Sequence, residues 1–165
     1  MIKTLLAASF AALVATTALV SAQEAGLAER RAVAAYEKEQ YPALQKKIQD
    51  AAGFPVPITV DWLSLALPGE TEYYTHEEFF LKTIFEPLEL AMKDVAQDDM
   101  GKEALKANLK AITIHYAEGG ISASDYKQRV KFENGTLDIN FRPFTNGADV
   151  KDRADAIIEA LSAKL

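Results

Sequence analysis

Val130-Lys131-Phe132-Glu133-Asn134-Gly135-Thr136-Leu137-Asp138-Ile139 sets an Asn-Gly pair between two runs in which apolar and polar residues alternate. Both turn residues tolerate positive φ, and a two-residue loop of this composition is the strongest short-range hairpin signal. Such a turn fixes the register. Glu133 then opposes Thr136, Phe132 opposes Leu137, Lys131 opposes Asp138 and Val130 opposes Ile139. Apolar pairs meet on one face and an opposite-charge pair meets on the other, as a half-buried hairpin requires. The arms are expected as strands over 126–133 and 136–142. Asn134-Gly135-Thr136 also has the form of an N-glycosylation acceptor, but the turn already accounts for these residues.

Two more strands are expected upstream. Residues 110–117 alternate, with Ile112, Ile114 and Tyr116 on one face and Thr113 and His115 on the other. Gly119-Gly120 reads as a turn between antiparallel neighbours. Residues 58–65 follow Pro55 and Pro57, and their β-branched content with Ile58, Val60 and Trp62 in alternation predicts a strand.

Helical spacing accounts for the remainder. Residues 25–52 read as a helix kinked at Pro42, because the residue before proline is pushed away from helical angles, and Gly53 is placed as its C-terminal cap. Thr75-His76-Glu77-Glu78 has the form of a capping box opening a helix over 76–97, bent at Pro87, with Phe80, Ile84, Phe85, Leu88 and Met92 on its apolar stripe. A short helix is expected around 102–107. The last helix, 149–164, lines up Val150, Ala154, Ile157 and Leu161. The expected fold class is α+β, with an antiparallel sheet of about four strands covered by helices on one face and polar on the other.

The first 22 residues have a different character. Lys3 precedes an apolar stretch from Leu5 to Val20, and Val20-Ser21-Ala22 supplies the small residues of a signal-peptidase site. A cleavable signal peptide over 1–22 is expected, leaving 23–165 as one domain. An uncleaved anchor needs roughly 18–20 apolar residues, and Ser9, Thr16 and Thr17 dilute this run. The chain has no cysteine, which closes both the lipoprotein route and disulfide stapling. The short Ala-rich leader points to the periplasm of a Gram-negative bacterium, or otherwise to secretion, with no membrane anchor in the mature form.

The formal net charge is −6, and losing Lys3 with the leader makes the mature chain more acidic still. An acidic surface repels phosphates, which excludes nucleic acid as a natural partner.

No sequence motif carries a specific chemistry. There is no G-x-S-x-G around any serine and no P-loop lysine after Gly119-Gly120. His76, Glu77, Glu78 and distant His115 are the one grouping with metal-ligand chemistry, yet their spacing fits no zinc motif. His115 would need an orienting carboxylate to act as a base, with Asp61 or Glu118 as candidates. The 67–76 loop places Tyr73 and Tyr74 beside acids and before His76, and amphipathic tyrosines suit a contact surface. No cofactor or metal is implied.

The expected function is that of a small exported, non-catalytic binding or accessory protein. Tyr73, Tyr74, His76, His115 and Asp61 would meet a small ligand or an envelope protein through the 67–76 loop and the exposed sheet face around Thr59 and Thr113. Two alternatives remain. One is a hydrolase or metal-dependent enzyme centred on His76 and His115 with nearby carboxylates; the other is a subunit of a cell-envelope complex.

Overall fold

The structure, a computed structural model, describes residues 25–76 and 80–165, with the side chains of Tyr74 and Thr75 outside that description. The expected leader over 1–22 and the Thr75/Glu78 capping box therefore lie outside the described residues. Five α-helices are described: α1 (Leu27–Glu39), α2 (Tyr41–Ala52), α3 (Glu86–Val95), α4 (Asp99–Asn108) and α5 (Val150–Ser162). Four strands accompany them: β1 (Ile58–Val60), β2 (Ala111–Ile114), β3 (Val130–Glu133) and β4 (Thr136–Ile139).

The hairpin forms as read. Asn134 and Gly135 take φ of 53° and 83°, and all four cross-strand pairs are the expected ones. The sheet around it differs from the expected antiparallel one. Its order is β1-β2-β4-β3, with β1 parallel to β2, β2 parallel to β4, and only β3 antiparallel to β4. The connections explain this. Parallel neighbours need a crossover, and the path from β1 to β2 carries α3 and α4. The segment 115–129 then takes the chain past one strand position to the sheet edge, and β4 returns into the gap beside β2. Gly119 and Gly120 do turn, both at positive φ, but they join strands that are not neighbours.

Each expected strand is shortened at one or both ends. The 58–65 run stops at Val60 because Asp61 closes a turn. Its Oδ1 accepts from the Ser64 amide at 3.2 Å, and its carbonyl accepts from Ser64 Oγ at 2.7 Å. The hairpin arm expected from 126 begins as a 3-10 turn over Tyr126–Arg129.

The first helical segment is two helices rather than one kinked rod, parted at Gln40, with Pro42 in the first turn of α2, where its missing N–H costs least. Gly53 caps α2 in the left-handed region at φ 81°, as read. Ahead of α3, Leu81–Phe85 forms a π turn in which the Glu86 amide reaches back to the Leu81 carbonyl. Pro87 lacks the N–H that would bond the Thr83 carbonyl, and a wide turn is one way to absorb that loss. α4 is longer than the expected 102–107 because Asp98 caps it, accepting from the Gly101 amide at 2.7 Å.

One apolar cluster unites the sheet's inner face with the helices: Ile112, Ile114, Leu137, Ile139, Val130 and Phe132 meet Leu88, Met92, Ile157 and Leu161. Trp62, Tyr36, Tyr41, Phe80 and Phe85 form an aromatic wall at its side, with ring centroids 4.7–6.2 Å apart. Among the described residues no helix is long and apolar enough to cross a membrane.

Candidate functional site

Strand alternation sends every second side chain of the sheet away from the core. The register aligns Thr59, Thr113, Asp138 and Lys131 in one row across all four strands on that open face. The flanking rows, Ile58-Ile112-Leu137-Phe132 and Val60-Ile114-Ile139-Val130, face the core.

Within the polar row Thr113 Oγ1 donates to Asp138 Oδ1 at 2.7 Å. His115 stands one step further along β2's direction, its backbone N–H still bonded to the Ile139 carbonyl at 3.0 Å. Its Nε2 lies 3.1 Å from each carboxylate oxygen of Asp138. An ionised carboxylate only accepts, so Nε2 is the donor of this contact. Side-chain exposures of 34% for His115 and 38% for Asp138 leave both reachable from solvent.

Asp61 aligns with His115 at the end of β1, and its amide donates to the Ile114 carbonyl at 2.9 Å. Its carboxylate holds the 61–64 turn, and Ser64 Oγ in turn accepts from the Tyr116 amide at 3.0 Å. Asp61 therefore stands close by along the sheet without supplying the carboxylate bound to His115. Glu118 is engaged elsewhere, accepting from the Tyr116 hydroxyl. That bond, together with burial, raises the Tyr116 pKa, burial being the larger cause.

The loop residues have different neighbours. Thr71–Thr75 is a 3-10 turn, and the Tyr73 ring stacks on Phe144 at 5.6 Å. The Gly69 amide is held by Glu29 Oε1 at 3.1 Å. Exposed His76 follows the turn, its amide bonded to the Tyr73 carbonyl at 3.2 Å. Tyr74, Glu77 and Glu78 lie outside the described side chains. Among the described residues no group of three or more His, Asp or Glu is arranged to hold a metal ion.

Two buried arginines that sequence reasoning passed over brace this end of the sheet. Arg129, only 2% exposed, donates to five backbone carbonyls, those of Ala117, Glu118, Ile121, Ser122 and Asn140. It thereby fixes the chain leaving His115. Arg153, 1% exposed, donates to the carbonyls of Thr145 and Asn146 and lies over the Tyr126 ring at 4.5 Å. Burial lowers its pKa. Arg129 sits immediately before the apolar hairpin position Val130, on the polar side of the alternation, and nothing in local pattern marks it as buried.

No protein-family model, no curated protein and no solved structure matches the chain.

Proposed function

We propose that the chain is a small exported binding or accessory protein without catalysis, meeting a small ligand or an envelope protein through the open sheet face, with the 67–76 loop as a separate second contact. One observation carries this reading: His115, Asp138 and Thr113 are joined on a face that no core packing requires to be polar in this particular way. A cross-strand Thr–Asp–His chain holds its side chains in fixed positions, which lowers the ordering cost of meeting a partner. The His115 ring, the Thr59 hydroxyl and the Lys131 ammonium offer complementary polar handles on the same open face.

A second reading rests on the same pair. An imidazole held by a carboxylate is the arrangement of a general base, so a hydrolase centred on His115 is the alternative, with Asp138 rather than Asp61 or Glu118 as orienter.

One experiment separates them. Isotope-labelled protein is titrated with the small-molecule and protein fractions of an envelope extract while amide shifts are followed, and the same protein is assayed against ester, peptide and glycan substrates. Shifts clustered at Thr59, Thr113, His115 and Asp138, weakened in His115→Ala and without turnover, support the binding reading. Turnover abolished by His115→Ala, or perturbations confined to other surfaces, overturns it.

A further inference from the structure

The outer edge of the sheet has its own geometry. In the β3–β4 ladder the Asn140 amide donates to the Arg129 carbonyl, which makes 129/140 a hydrogen-bonded pair. Antiparallel pairs alternate, so 131/138 and 133/136 are also hydrogen-bonded. The N–H and C=O groups of Val130 and Phe132 must then point away from β4. β3 is the last strand of the sheet, and among the described residues these outward groups have no hydrogen-bond partner. Beside them runs a groove of about 270 Å³ between β3 and α5. Its helix side carries Ala156, Glu159, Ala160, Ala163 and Lys164, with Glu159 paired to Lys127 at 2.5 Å.

An open edge is a template for another strand, and the charge pattern selects which strand fits. Lys131 and Glu133 project on the open face, one on each side of Phe132. Antiparallel pairing of β3 with its own copy, centred on Phe132, sets each Lys131 opposite the other chain's Glu133. This attractive pair occurs twice, because a two-fold interface repeats each contact. The alternative register, centred on Lys131, would put the two ammonium groups face to face, which is destabilising. We infer that β3 is a self-association edge, joining two copies of this chain in an isologous dimer whose sheets continue through Phe132. This inference is independent of the proposed role of the open face, although the joined sheet would carry two His115–Asp138 pairs on one side.

Sedimentation of the purified chain over a range of concentrations, with Lys131→Glu and Glu133→Lys, tests it. The expected result is a reversible dimer whose dissociation constant rises about tenfold or more in each single variant, since two pairs change sign together. An equimolar mixture of the two variants recovers the dimer, because each then supplies the charge the other lacks. Hydrogen exchange gives a separate readout: the Val130 and Phe132 amides gain protection as concentration rises. A chain that stays monomeric, a dimer indifferent to both reversals, or Val130 and Phe132 protection that does not depend on concentration overturns the inference. Capture of a different protein's strand at this edge by an otherwise monomeric chain overturns it as well.

Discussion

His115 shows how far one residue can be read without its neighbours. Its position just past the end of β2, opposite the apolar face, follows from alternation alone, and the need for a carboxylate follows from the chemistry of an imidazole base. The identity of that carboxylate does not. Asp138 was legible only as the partner of Lys131 across the hairpin; its second neighbour exists because β4 lies beside β2, which no local pattern encodes. Arg129 is the opposite case, with a role that only the fold reveals. Replacing it by Met would leave buried carbonyls without donors, each costing about 1–3 kcal/mol. Partial relaxation of the loop should hold the total loss near 3 kcal/mol, read by urea denaturation. Tyr41 supplies a pH-dependent signature. Burial, and then the nearby charge of Glu37, pushes its hydroxyl up to about 12, against about 10 in an unfolded chain. The folded state therefore keeps this proton when the unfolded state has lost it. The contribution is complete below about pH 10 and is lost as pH rises towards about 12. Denaturation across that range should show falling stability, with a shallower fall in Tyr41→Phe.

Elements with strong local signals formed where expected, and the departures have local causes. The turn and register of the hairpin were legible because its turn chemistry and its alternation agree, while the extent of its arms was not. The Gly53 cap and the helix over 150–162 were legible for similar reasons. The shortening of β1 was not, because Asp61 serves a turn while continuing an apparent strand pattern. The π turn before α3 arises from Pro87 together with packing that the stripe of apolar residues does not describe. Gly101, in the first turn of α4, gives a prediction with an inverted sign. Ala in place of Gly within a helix ordinarily stabilises by about 1 kcal/mol. Here an added Cβ would fall 1.8 Å from the Val95 carbonyl oxygen, a backbone atom that cannot swing aside. Gly101→Ala should therefore lower the thermal midpoint, while Asp98→Ala at the cap, costing about 1 kcal/mol, lowers it less.

At the scale of the molecule, the α+β class and the division into a covered and an open sheet face could be read from pattern, whereas strand order and direction could not. Alternation reports which face a residue takes; it carries no information about which strand comes next. The apolar residues of sheet and helices form one cluster, and Trp62, the single tryptophan, belongs to its aromatic wall. Unfolding followed by Trp62 fluorescence and by far-ultraviolet circular dichroism should therefore give coincident transitions, the mark of two-state behaviour. Separate midpoints would mean that the aromatic wall melts apart from the sheet.

The Arg129 carbonyl cage also decides where this molecule can be cut or extended. Gly119 and Gly120 look like an obvious place to insert a tag, being exposed, turning and between strands. Yet the carbonyls on either side, of Glu118 and Ile121, are both held by the same guanidinium, so an insertion there would pull apart two ends of one clasp. The loop that looks most permissive to an engineer is one whose length the interior has already set.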